Sequence, residues 1–173
     1  MSTFVDEAFP GWPKGEPIPA ISIRQPWAAA VVWLGKDIEN RSRWLYGHRG
    51  PIIVHASASK FYRDDLEAML ALARQDGIGE EALRHFAPDN YLIDLMPQGA
   101  IVGVANLKTI FSSEDDIPEE HPAYSSPWSD DDSEHWLYFD SVIPVEPMPF
   151  KGRVGLFKVP YEVAANLERF KLD

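Results

Sequence analysis

The sequence predicts an α+β domain built on a small β-barrel of about five to six strands flanked by helices. Three observations carry that prediction. Runs rich in Ile, Val and aromatic residues recur along the chain, and helical periodicities are inserted between them without regular βαβ alternation. The longest strand candidate, residues 99–111, holds Gly103 at the point where a barrel wall would bend. The 173 residues, 45% of them apolar, suffice for one domain with a full core and are too few for two comfortable ones.

Taken in order, residues 1–19 contain four of the fifteen prolines with Gly11 and Gly15, and read as an extended arm offering Phe4, Phe9 or Trp12 to the body. The domain proper is 20–173. Ile21 and Ile23 flank Ser22 in a short strand that ends before Pro26, whose fixed φ suits the start of a helix. Trp27, Ala30, Val31 and Leu34 recur at helical spacing, while Ala28, Ala29 and Val32 make the opposite side apolar as well. This helix has no polar face and is expected to be buried, with Gly35 as its stop. Residues 36–43 then set charged and polar groups around the single aliphatic Ile38 in a second strand.

Residues 44–50 form an aromatic and basic turn, and 51–56 a strand apolar enough to be buried on both faces until His55. Tyr62, Leu66, Met69 and Ala73 define the inner face of a helix that Gly77 ends. A shorter helix follows at 80–86, then an irregular connection at 88–98. Residues 112–134 are polar and interrupted by proline, and are expected to be a long mobile loop. Strand character resumes at 136–145, residues 150–159 give a turn and a last strand, and Pro160 opens a C-terminal helix with Val163, Leu167 and Phe170 inward.

The net charge of −11 opposes a surface that grips long duplex DNA, but its distribution is uneven. Residues 21–63 carry seven Lys or Arg against two acids, whereas 114–134 carry nine acids and no Lys or Arg. A basic patch beside an acidic loop suits a short anionic ligand better than a long polyanion; acidic loops also simply keep proteins soluble. The chain has no cysteine, so disulfides and thiolate chemistry are excluded. Its longest apolar stretch, 27–34, is far short of a membrane span, and a cytoplasmic protein without a membrane partner is expected.

Several side chains are candidates for chemistry. Arg24 and Gln25 flank a helix N-terminus, a place that favours a phosphate, although Gln25 serves equally well as a helix cap. Trp27 and Trp33 fit the core better than a stacking platform, whereas Trp44, Tyr46, Trp128 and Trp136 lie among polar and basic residues as stacking candidates. A carboxylate between cations, as in Lys36, Glu39 and Arg41, serves as an acceptor for a base edge, as a general base, or as part of a salt-bridge network that fixes the turn. His55 ends a buried strand just before Ser57 and Ser59, either as a satisfied structural histidine or as a group facing a cleft. The remaining histidines show no metal-ligand spacing, and no cofactor or metal is implied.

Four segments in the right order, Ser22-Ile23-Arg24-Gln25-Pro26-Trp27, Gly35-Lys36-Asp37-Ile38-Glu39-Asn40-Arg41, the stretch from Arg49 to Ser57, and that from Gly99 to Ala105, resemble the ASCH domain family. The resemblance spans about residues 20–160 and implies a PUA-like β-barrel with a cleft between barrel and first helix where nucleic acid binds. It implies convergence of Lys36 and Glu39 through the turn after Gly35. In the branch that deacetylates N4-acetylcytidine, a threonine nucleophile stands three residues after the lysine; here Lys36 matches the lysine and Glu39 occupies the threonine position.

The leading expectation is therefore a nucleic-acid-binding domain that takes RNA, a single strand or a modified nucleotide. Its site would be formed by Arg24, Gln25, Pro26, Trp27, Lys36, Glu39, Arg41, His55, Ser57, Ser59 and Trp136, with the 112–134 loop closing over it or regulating access. The alternatives are a hydrolase acting on RNA or an N-acylated nucleoside through Lys36 and Glu39, and a protein-interaction module using the acidic loop.

Overall fold

The computed structural model describes residues 1–43, 47–60, 62–86 and 95–171. The strands are β1 (Ile18–Ile23), β2 (Ile38–Arg41), β3 (Gly50–Ala56), β4 (Ala100–Phe111), β5 (His135–Pro149) and β6 (Leu156–Val159). They form one sheet in the order β2-β5-β4-β3-β1-β6, in which β1 and β3 are parallel and the other neighbours antiparallel. With the helices α1 (Phe4–Ala8), α2 (Trp27–Trp33), α3 (Arg63–Gln75), α4 (Glu80–Leu83) and α5 (Tyr161–Ala164), the fold is α+β.

The sheet is not closed, since β2 and β6 are its edges. A side chain reaches across instead: Arg41, on the edge strand β2, donates from Nη2 to the Ser22 carbonyl oxygen of β1 at 2.6 Å. The Ser22 N–H meets the Gly155 carbonyl oxygen, just before β6, at 3.3 Å. The ends of β1, β2 and β6 are therefore drawn together at an open seam.

The helix without a polar face has its explanation in the layering. Ala28, Val31 and Val32 of α2 pack into a core with Ile21, Ile23, Ile52, Val54 and Leu137 of the sheet. Its other side, Ala29, Ala30 and Leu34, packs with Leu66, Met69 and Ala73 of α3 and with Phe111, Trp128 and Trp136. Both faces are covered, so every position must be apolar. After Leu34 the chain turns at Gly35 with φ of 68°, a conformation that disfavours a side chain, and the Lys36 N–H closes on the Ala30 carbonyl oxygen at 3.1 Å.

Strand alternation sends the other residues of β1 and β3 to the far face. Ile18, Ala20 and Ile53 join a third core with Val5, Phe9, Val159 and Leu167. The arm is partly helical, where its prolines predict an extended chain: Thr3 and Asp6 form a capping box that starts α1, and Val5 and Phe9 are buried. Gly103 lies at a register shift between β4 and β5, and a Cβ there would stand 3.1 Å from Val32 Cγ2 and 3.2 Å from the Ile143 carbonyl oxygen. The close approach of α2 and β5 to β4 favours a glycine there.

β5, with 15 residues, is longer than the expected strand and runs through Pro144 and Pro147. It bulges there, and the Glu146 N–H turns to the Glu168 carbonyl oxygen at 2.9 Å instead of the ladder. The C-terminal helix is shorter than predicted. It stops at Ala164, after which Arg169 forms a bridge with Val145 and the chain runs alongside β5. Residues 112–134 are fastened down rather than loose: Ile117, Ala123 and Trp128 are buried in the core, and a 3-10 turn spans Glu114–Asp116. The expected aromatic turn at Trp44 and Tyr46, and most of the irregular connection 88–98, lie outside the described residues. Among the described residues no helix is long and apolar enough to cross a membrane.

Candidate functional site

A cleft of about 990 Å3 opens at the seam where the ends of β1, β2 and the β5–β6 turn converge. Its walls come from Ser22, Ile23 and Arg24 after β1, Trp27 of α2, Lys36 and Glu39–Ser42 around β2, Ser57 and Ser59 after β3, Leu72 of α3, residues 127–132 of the acidic loop, and Val154 and Gly155. Topology explains the convergence. β1 and β3 are parallel neighbours and end side by side, while the unpaired edge of β2 leaves room for a hollow.

The charged cluster is built by the turn at Gly35. Lys36 lies just before β2, so strand alternation does not separate it from Glu39, and its Nζ donates to Glu39 Oε2 at 2.6 Å and to the Ile38 carbonyl oxygen at 2.5 Å. Glu39 Oε1 lies 3.3 Å from Arg41 Nε, so one carboxylate stands between two cations. Lys36 is 3% exposed and Glu39 8%. Burial of charges at this level is tolerated only where they are paired. Trp27 is half-buried and shows part of its ring to the cleft, although the sequence favoured it as core. Arg24 is the exposed cation of the rim, 3.6 Å from Asp65.

Other expected site residues stand elsewhere. Gln25 is fully buried; its Oε1 accepts from the Ala29 N–H at 3.0 Å and its Nε2 donates to the Pro97 carbonyl oxygen at 2.9 Å. It is the cap rather than a ligand group. Because the N–H groups of Ala28 and Ala30 are also taken, by the carbonyl oxygens of Arg24 and Pro26, the mouth of α2 has three fewer donors for a phosphate. Pro26, joined to Gln25 by a cis peptide bond, does not line the cleft.

His55 is placed on the opposite side of β3 from Val54 and Ala56, under the β5–β6 turn. Its Nε2 donates to the Phe150 carbonyl oxygen at 2.8 Å, which leaves Nδ1 to accept from the Ser22 hydroxyl at 3.0 Å. Phe150 and Phe157 meet the imidazole edge-on. Burial lowers its pKa, partly offset by the Phe150 bond, so the neutral ring is favoured. His55 therefore ties the turn to the sheet and does not face the ligand space.

Trp136, expected as a stacking platform, is 3% exposed in the core, and its Nε1 donates to the Asp130 carbonyl oxygen at 3.0 Å. Trp128 is likewise buried and donates to Asp76 at 2.9 Å. Both indoles fasten the acidic loop, whose polar composition concealed its apolar anchors. Asn40 completes the fastening: its Nδ2 donates to the Trp128 carbonyl oxygen at 2.8 Å, and its Oδ1 accepts from the Asp130 N–H at 2.9 Å. The Ser126 hydroxyl donates to Asp37 Oδ1 at 2.5 Å, and burial pushes the Asp37 carboxyl pKa up.

Val154 and Gly155, within the stretch 150–159 that the sequence reads as a turn and a last strand, form a cleft wall that hydrophobic patterning did not reveal. Gly152 and Gly155 bracketing Arg153 and Val154 fit the turn expected there, but a turn alone does not say that it lines a cleft. Three cations and four carboxylates line the cleft, a balance unlike that of a groove for a long polyanion. Among the described residues no three His, Asp or Glu stand together as a metal site.

No family model matches the chain, and no curated protein matches it by sequence. A solved structure is similar to it in fold. The likeness is to an ASCH protein. That chain, the crystal structure of ASCH from Zymomonas mobilis, is similar over 84% of this chain and 90% of its own length, with a TM-score of 0.45 and 15% sequence identity.

Proposed function

We propose that the cleft binds one nucleotide of single-stranded RNA, or a modified nucleoside of the same size, with Trp27 as the stacking face and Glu39, Arg41 and Arg24 as its polar partners. The observation that supports this reading is the half-buried Trp27 ring sharing one cleft with a fixed acceptor–donor cluster. An indole offers a flat apolar surface to any base, and a carboxylate held beside guanidinium groups supplies both acceptor and donor for a base edge. The volume, about 990 Å3, suits a ligand of nucleotide size. The net charge of the lining does not suit a long duplex.

Fluorescence anisotropy with short single-stranded RNA, alongside calorimetry with a panel of modified nucleosides, tests the proposal. Trp27→Ala is expected to weaken binding by about ten-fold or more through loss of stacking. Absence of binding to either ligand class removes the reading.

A second reading is favoured by the buried contact of Lys36 with Glu39 at 2.6 Å, an acid–base arrangement at a cleft wall. In it the same residues hydrolyse RNA or an N-acylated base, with Glu39 accepting the proton of the attacking water. Product formation that is lost in Glu39→Gln while ligand binding persists distinguishes enzyme from binder. Both oxygens of Glu39 already face a cation, and for this reason the binding reading is preferred.

A further inference from the structure

Val154 is a β-branched apolar residue, yet it is 93% exposed at the mouth of the cleft. The turn that carries it is held firmly at its base. The Phe150 N–H meets the Gly99 carbonyl oxygen at 3.0 Å, His55 holds the Phe150 carbonyl oxygen from beneath, and the Ser22 N–H holds that of Gly155. Gly152 presses against the His55–Ser22 pair so closely that a Cβ would collide with His55 Cε1 and fall 2.8 Å from Ser22 Oγ. A fixed turn thus presents an exposed apolar side chain at the cleft wall. Asp130, Asp131 and Asp132 also line the cleft and are exposed, with Asp130 held by Asn40 and the Asp132 N–H donating to Asp130 Oδ1.

We infer that the Lys151–Gly155 turn is a second ligand-binding wall and that the cleft takes a nucleotide bearing phosphate on one side only, at the end of a strand or free. The inference rests on the proposed nucleotide-binding reading. Val154 gives the base or ribose a second apolar contact besides Trp27, and the phosphate lies toward Arg24, the one exposed cation among the lining residues. A strand that continued through the cleft would bring a second phosphate, for which the exposed lining offers the carboxylates of Asp130, Asp131 and Asp132 and no further exposed cation, and like charges at short range oppose it.

Binding of a linear single-stranded RNA of about twelve nucleotides is compared with that of the same sequence ligated into a circle; the order of length follows from excluding duplex and from the site's need for one residue. The linear form is expected to bind about ten-fold or more tightly than the circle, and a nucleoside monophosphate to compete with it. In Asp130→Asn/Asp131→Asn/Asp132→Asn the circle is expected to approach the linear form. Val154→Asp, a change at an exposed position, is expected to weaken the linear ligand by about ten-fold with an unaltered melting temperature. Equal affinity for circle and linear RNA overturns the one-sided site, and unchanged affinity in Val154→Asp overturns the wall; either result leaves the proposed function standing. Failure of every ligand to bind overturns both.

Discussion

At the scale of the residue, Lys36 shows how a buried charge is tolerated and why its removal is costly. Its ammonium group has two close acceptors, Glu39 and the Ile38 carbonyl oxygen, and little contact with water. Lys36→Ala leaves the Glu39 carboxylate buried with Arg41 alone beside it. Such half-broken pairs are unfavourable, and a loss of about 3 kcal/mol is expected, at the low end of the usual range because one cation remains. Urea denaturation of Lys36→Ala against the unaltered protein measures it; a loss under about 1 kcal/mol would show that the pair is hydrated like a surface bridge. Trp27 is a better residue than Lys36 for testing ligand binding, because truncating the half-buried indole leaves no buried charge unpaired.

Among the elements, the acidic loop is the one whose behaviour depends on a few bonds. Asn40 on β2 both donates to the Trp128 carbonyl oxygen and accepts from the Asp130 N–H, so one amide ties two points of the cleft's acidic wall to the sheet. Asn40→Ala removes both bonds while the indoles of Trp128 and Trp136 stay buried in the core. Local opening of residues 129–133 is therefore expected without global unfolding. Hydrogen exchange should show faster amides there, with α2 and β4 unchanged. Uniform acceleration across the chain would show instead that the loop and core open as one unit.

For the whole molecule, pH from neutral downward acts through His55 and Asp37, whose protonation burial opposes and favours respectively. His55 has a lowered pKa in the folded state, so below the ordinary histidine value of 6.5 the unfolded chain binds its proton first. Stability from this group is complete above that value and declines as pH falls through it. Asp37, with a raised pKa, acts with the opposite sign: its folded form gains protons first, so its contribution rises as pH drops toward the ordinary carboxylate value of 3.8. Thermal melts are expected to lose stability from pH 7.5 to about 5.5, and His55→Gln to flatten that slope. A slope unchanged by the substitution would assign it to other groups.

The linear chain determined α2, its burial and its glycine stop, because an apolar surface on every side admits one environment. Strand alternation alone would set Lys36 and Glu39 on opposite faces; their meeting was implied by the family resemblance, and the fold achieves it because Lys36 stands in the turn before β2. The cap of Gln25, the far-face position of His55, the buried indoles of Trp128 and Trp136, and the exposure of Val154 were decided only in three dimensions. Each depends on which strand end or loop lies opposite, and contacts between residues far apart in the chain leave no trace in local periodicity. The open seam between β2 and β6 is of the same kind: hydrophobic alternation prescribes a strand's two faces, while the partner at its edge is chosen by the packing of the whole sheet.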